Sequence, residues 1–416
     1  MKYYLSIIIL FLTQVANCQT TINAMFYNLL NYPTAPPANR NAVLKNILNS
    51  YEPDLFFVCE LESNSAANSI LDFSLNEINK NYNKAQFILN QSDLSPDSSL
   101  QQLVFFNSAY FILDNQQTII TNVRDINHYT FIIKTTNYLT NPIYLEVFVT
   151  HLKSSQGTNN QQLRLQMVEQ FTNELQNLNP NSFVIFAGDF NFYTSSEPGY
   201  QKILDTNNAI LMKDVLNLNN TLQSWHNNSS WRSLHTQSTR LSTAEFNGFG
   251  AGGGLDDRFD FIMLSESILV NSEINFVENS YKNYGNNGNC FNTRIDNTNC
   301  IGEFSQELRN NLYNMSDHLP VVLSLETNET LATTSELINE NLIKLTKGNL
   351  INENLSLAID NSLQNQYLNI YNYLGQNIYK QKITSINTNI SLSYLPKGVY
   401  YIKVKGVNKS LKIIKI

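Results

Sequence analysis

Two runs in this chain, residues 55–58 (Leu-Phe-Phe-Val) and 183–187 (Phe-Val-Ile-Phe-Ala), are apolar at every position. A strand turns successive side chains to opposite faces, so such a run has to be covered on both. Amphipathic helices able to supply that cover are expected at 39–49, around Ala67, Ile70, Leu71, Leu75 and Ile78, and at 161–178, where Leu163, Met167, Phe171, Leu175 and Leu178 share a stripe. Further strands are expected at 22–27, 103–106, 129–134, 143–149, 259–264 and 320–325, with a loop-rich stretch from 188 to Gly254. Buried strands mixed with long helices predict an α/β domain. The 416 residues exceed one ordinary domain, so a large domain and a smaller one are expected.

The N-terminus reads as a signal peptide over 1–18. Lys2 precedes an apolar stretch at 7–12, and Ala16 and Cys18 stand before Gln19. A linker is expected at 327–336, and short alternating stretches from 337 to 416 suit a small β-sandwich. That last segment holds ten lysines, no arginine and three acids, a net +7; the remainder holds 17 basic and 31 acidic residues, a net −14. An acidic domain does not attract a polyanion by its overall field, so bound cations have to supply positive charge if it handles phosphodiesters. Of the cysteines left after residue 18, Cys290 and Cys300 flank a polar loop and are expected to pair, export permitting a disulfide. Cys59, inside an apolar run, reads as a buried free thiol.

Residues with catalytic potential stand at the ends of the apolar runs. Glu60 follows 55–58, and a carboxylate there suits a hard cation such as Mg2+. His151 follows 143–149 and can donate to a phosphoryl oxygen. In Gly188-Asp189-Phe190-Asn191 the glycine permits a tight turn, and Asp189 and Asn191 project on the same side. One of them can orient a water while the other donates to the charge that develops on phosphate. Asp317 and His318 enter the last strand, and Asp260 can hold one imidazole nitrogen of His318. The polar run 235–240, with Asn283 and Asn286, suits contacts to phosphates and sugars, and Arg240 is its candidate phosphate contact. Trp225 and Trp231 are the candidate aromatic tip for a lipid surface. Each feature alone has a plain structural alternative, such as a solvated acid or a satisfied histidine.

In order along residues 22–326, Asn28, Glu60, Thr150-His151-Leu152, Gly188-Asp189-Phe190-Asn191, Arg258-Phe259-Asp260 and Ser316-Asp317-His318 resemble the endonuclease/exonuclease/phosphatase superfamily. The resemblance implies two packed mixed β-sheets flanked by helices, a four-layer sandwich. It implies Mg2+ or Mn2+ held by Glu60 with Asn28 helping through water, and Asp317 supporting a second metal or its water network. Asp189 then orients the attacking water, His318 backed by Asp260 handles protons, and Asn191 and His151 stabilise the transition state. Two departures are Leu30, where many of the nucleases carry a polar or acidic residue, and Cys59 before Glu60, where Gln is more usual.

Residues 371–376 (Tyr-Asn-Tyr-Leu-Gly-Gln), 395–401 (Leu-Pro-Lys-Gly-Val-Tyr-Tyr) and 412–415 (Lys-Ile-Ile-Lys) resemble the sorting domain of the bacterial type IX secretion system. The expectation is a secreted, metal-dependent phosphodiesterase built as signal peptide 1–18, catalytic domain 19–326, linker 327–336 and sorting domain 337–416. Its partners would be a nucleic acid substrate and the type IX machinery. A DNA or RNA endonuclease leads, ahead of a sphingomyelinase-like lipid phosphodiesterase. A non-catalytic surface protein on the same fold ranks last, because Asp189 and His318 are both present.

Overall fold

A computed structural model describes residues 20–92, 100–219, 224–271, 273–331, 342–360, 363–404 and 410–416. The expected signal peptide lies outside the described residues. The chain divides into two compact units at Leu331.

The first unit opens with β1 (Thr20–Tyr32), α1 (Arg40–Tyr51), β2 (Leu55–Leu61) and α2 (Asn64–Ile70). Then come β3 (Tyr82–Lys84), β4 (Gln101–Asn107), β5 (Phe111–Ile119), β6 (Ile126–Ile133) and β7 (Ile143–His151). The long helix α3 (Thr158–Glu174) leads to β8 (Phe183–Asp189), α4 (Pro198–Ile203) and β9 (Met212–Lys213). The unit closes with β10 (Asp260–Ser265), α5 (Glu266–Val270), β11 (Asn275–Phe276), β12 (Lys282–Asn283), α6 (Gln306–Met315) and β13 (Val321–Thr327).

Among these strands two mixed sheets form. One runs β11-β13-β1-β2-β4-β3 with β12 beside β13; the other runs β5-β6-β7-β8-β10-β9. β8 explains the layering. Its odd positions, Phe183, Ile185 and Ala187, join the core shared with β1, β2 and β13. Its even positions, Val184 and Phe186, join a second core with Met167, Val168 and Phe171 of α3. Phe171 stacks on Phe186 at 3.8 Å. A strand apolar on both parities therefore lies between a facing sheet and a helix layer, and each such side chain gains about 2 kcal/mol from burial. Leu55 to Cys59 of β2 are fully buried for the same reason. The four-layer α/β expectation matches this arrangement.

The second unit contains β14 (Ile343–Leu345), β15 (Leu350–Ile351), β16 (Asn354–Ile359), β17 (Tyr367–Asn372), β18 (Asn377–Lys382), β19 (Asn387–Ser391), β20 (Gly398–Val404) and β21 (Leu411–Lys415). A three-stranded sheet, β14-β16-β19, and a five-stranded one, β15-β21-β20-β17-β18, share one core that includes Leu355, Leu357, Ile370 and Ile402. This is a small β-sandwich.

The boundary differs from the expected linker. Thr327 still pairs with Thr20, and Leu331 is buried in the first unit's core and bridged to Thr135. Residues 327–331 thus belong to the first unit, and 332–336 lie outside the described residues.

Candidate functional site

Register brings three of the expected residues into line. His151 ends β7 opposite Asp189 of β8, which is in turn opposite Asp260 of β10. Each shares strand parity with residues of the inter-sheet core, such as Val149, Ala187 and Ile262. Their side chains therefore project into the end of the inter-sheet layer. Gly188 lets β7 and β8 come together there: a Cβ at this position would lie 2.3 Å from the Thr150 carbonyl oxygen.

The facing sheet contributes through irregularity. The β1–β2 pairing slips between Asn28 and Tyr32, and Leu30, Asn31 and Glu60 have positive φ of 48°, 41° and 59°. Non-glycine residues avoid this region unless their surroundings enforce it, and such strain gathers at functional sites. Here it turns the Glu60 carboxylate toward Asn28 Nδ2 (3.0 Å) and the Asn31 amide (2.9 Å). The buried Arg40 supports the slip by donating to the Leu29, Leu30 and Met315 carbonyls.

At the centre, Asn28 Nδ2 also donates to Asp189 Oδ2 at 3.0 Å, while its Oδ1 accepts the Leu30 amide. Asn28 thus stands beside the expected cation site as a donor to two carboxylates rather than as an oxygen ligand. His318 Nδ1 meets Asp260 at 2.8 Å, and its Nε2 lies 3.7 Å from Asp189 Oδ2. Burial alone would depress His318, but Asp260, Asp317 and Asp189 together hold its pKa well above the usual histidine range. Burial, Asp260 and Glu60 outweigh His318 and Asn28 and push the Asp189 carboxyl up to about 7. His151 Nε2 is 3.5 Å from Asp189 Oδ2; burial, with Arg124 and His318 nearby, pushes its pKa well down, so it is a neutral imidazole. Asn191, at φ 53°, donates its amide to Asp189 Oδ1 at 2.8 Å.

Asp317 accepts Gln237 Nε2 (3.0 Å) and the Ala251 amide (2.7 Å) on one oxygen. Its other oxygen is buried without a hydrogen-bond partner. Ligand atoms of Glu60, His151 and Asp189 lie within 4.8 Å of one another, as do those of Asp189, Asp260 and His318. Glu60, His151, Asp189, Asp317 and His318 line an open cleft of about 450 Å³, and the fully buried Asp260 stands behind His318.

Arg240 does not reach it. The guanidinium is fully buried, lies 3.3 Å from the Phe246 ring centroid and donates to the Tyr313 carbonyl. A substrate-binding role is therefore overturned. The polar run around it is structural too: His235, Thr236, Ser238, Thr239, Asn283 and Asn286 are buried, and Asn286 ties the carbonyls of Arg232 and His235. Trp225 is fully buried, with its indole donating to the Phe192 carbonyl, so it forms no membrane tip.

Sequence reading placed Gln237 only within its polar run, although its amide lies 2.6 Å from His318 Nε2, and missed Arg124, a half-buried cation on the cleft wall. No sequence signal marks Gln237, the one member of its run that reaches the cleft. It arrives because its backbone pairs with both Asp257 and His318. The Cys290–Cys300 disulfide forms as expected, and Cys59 is a buried free thiol. The loop it closes braces this region, with Ile295 donating to the Thr239 carbonyl and Leu255 to that of Thr293.

No curated protein matches the chain. Solved structures similar to it include D. rerio TDP2 complexed with single strand DNA product, at 16% identity and TM-score 0.47, covering 74% of this chain and 100% of that one. The human Nocturnin catalytic domain is similar at 16% identity and TM-score 0.46, covering 74% and 97%. An endonuclease/exonuclease/phosphatase family protein from Bacteroides thetaiotaomicron is similar at 14% and 0.45, covering 74% and 96%. Residues 349–416 match the family model described as the secretion system C-terminal sorting domain. The second unit is thus a sorting domain, and it addresses the chain to the cell surface or beyond.

Proposed function

We propose that the first unit hydrolyses phosphoesters with a bound divalent cation, and that a DNA or RNA phosphodiester is its substrate. The observation that carries this reading is the meeting of Glu60, His151, Asp189, Asp260 and His318 at one end of the inter-sheet layer. The donor set fits a hard cation, because the carboxylates of Glu60 and Asp317 face the cleft and one Asp317 oxygen is unpartnered. Such a cation, Mg2+ or Mn2+, neutralises phosphoryl oxygens and the leaving oxyanion when bound.

The chain's own residues supply the rest. A carboxylate raised to about 7 is a competent base near neutral pH, so Asp189 orients a water and takes its proton. Asn191 holds the Asp189 rotamer. Neutral His151 donates to a non-bridging oxygen. His318, kept cationic by Asp260, delivers a proton to the leaving group. Arg124 replaces Arg240 as the cation facing phosphate.

The test is turnover of plasmid DNA, RNA and sphingomyelin vesicles by the purified chain, with Mg2+ and with excess EDTA. Cleavage of nucleic acid is expected only with the metal. Asp189→Ala or His318→Ala should lower it by about 100-fold or more at unchanged melting temperature, the usual contribution of a positioned acid or base. Full activity in EDTA, or hydrolysis of sphingomyelin alone, contradicts the reading.

A further inference from the structure

Beyond Asn191 the cleft ends against a wall that this chemistry leaves unused. Tyr193 lines the cleft with Ser154, Ser155 and Phe259. Its ring meets Phe259 edge to face at 4.9 Å and His226 at 5.1 Å, and the buried Arg164 guanidinium lies 5.8 Å from its centroid. Behind it is a second His–Asp pair. His226 Nδ1 is 2.6 Å from Asp257 Oδ1, and Gln156 Nε2 is 3.0 Å from His226 Nε2.

The carboxylate fixes the tautomer. Nδ1 carries the proton donated to Asp257, so Nε2 is an acceptor, satisfied by the Gln156 amide. The backbone holds the pair in place: the His226 amide donates to the Tyr193 carbonyl, and Asp257 exchanges amide bonds with Gln237. Gln156 is exposed and the His226 side chain is 38% exposed, so a ligand can displace the amide and take its hydrogen bond. The surroundings select the ligand. Half-buried Asp256 and Asp257 disfavour a second phosphate, and the aromatic floor with one polar edge suits a ring that is apolar on its face and hydroxylated at its rim.

We propose that Tyr193, His226 and Gln156 form a subsite for the sugar ring carried by the ester's alcohol, with the ring face on Tyr193 and a ring hydroxyl donating to His226 Nε2. Asp257 is a positioning residue that holds the imidazole. The subsite rests on the phosphoester reading of the cleft and names the group next to the scissile phosphorus.

Calorimetric binding to the full chain in Mg2+ buffer tests it, with methyl phosphate, p-nitrophenyl phosphate, ribose 5-phosphate and adenosine 5′-monophosphate as probes. Ribose 5-phosphate should bind about tenfold tighter than methyl phosphate, the range of one stacked ring and one hydrogen bond. His226→Ala and Tyr193→Leu should each remove most of that preference and leave methyl phosphate unchanged. Equal binding of methyl and ribose phosphates by the wild type overturns the subsite, as does a preference that survives His226→Ala. p-Nitrophenyl phosphate matching ribose 5-phosphate removes the polar half and overturns it too. Recognition seen only with adenosine 5′-monophosphate moves the contact to the base and has the same effect. If the ring preference holds while no ester is hydrolysed, the subsite stands and the hydrolytic reading falls.

Discussion

Five of the eight arginines in the first unit are buried: Arg40, Arg164, Arg240, Arg258 and Arg309. Each works as a strut. Arg258 grips Asp214 through two bonds of 2.8 Å, Arg164 holds Glu197, and Arg309 ties the carbonyls of Ile295 and Asn297. Sequence gave no warning of this, because an arginine's role depends on what covers it and its letter is the same inside and out. Arg240 makes the distinction testable. Arg240→Met should cost about 1–3 kcal/mol by leaving the Tyr313 carbonyl without its donor. It should lower the melting temperature and leave KM for nucleic acid within about twofold, because a buried side chain that does not line the cleft makes no contact with substrate. A large rise in KM at unchanged stability would restore a substrate role. The acids and histidines were legible for the opposite reason. Each sits at the end of an apolar run, and strand parity then dictates where it points.

Elements were legible in proportion to their burial. The doubly covered strands β2 and β8 begin at the expected residue, and each runs on past its expected end to carry the functional side chain itself. β5 was missed because it is an edge strand whose Asp114, Asn115, Gln116 and Gln117 have no alternation to read. α6 was missed among asparagines, although Leu308, Leu312 and Met315 mark one face. The helix expected to reach Ile78 ends at Ile70 and passes into a π turn, Leu71–Leu75. The slip that turns Glu60 into the cleft leaves no mark in composition, because positive φ was imposed on Leu30 and Glu60 by their neighbours. At this scale the β7–β8 contact is the sharpest test. Gly188→Ala places a methyl against the Thr150 carbonyl, and the strands that carry His151 and Asp189 must part. The expected result is a loss of about 1–3 kcal/mol together with a fall in turnover. Unchanged activity and melting temperature would mean that the close approach is not required.

On the scale of the whole molecule, composition separated the two units better than their boundary. The change from net −14 over residues 1–336 to net +7 over 337–416 marks two parts of different character, but the first unit holds its last residues more tightly than a linker would. A chain ending at Leu331 should melt like the first unit of the full protein and keep its turnover. One ending at Leu325 strips Thr327 from β13 and Leu331 from the core, and should melt lower. In cells, removal of the second unit should abolish release; normal release of that chain would contradict the sorting role.

The disulfide loop ties these scales together through time. A Cys290–Cys300 bond forms where thiols are oxidised and stays open in a reducing cytoplasm. The loop it closes carries the partners of Thr239 and Leu255, which stand on either side of Gln237 and the acids it meets. A freshly made chain therefore lacks this brace beside the candidate site, and acquires it only after leaving the cytoplasm. Cys290→Ser with Cys300→Ser should cost up to about 3 kcal/mol, and the wild type in strong reductant should lose heat tolerance to the same degree. Departure from the cytoplasm would then complete the brace beside the candidate site.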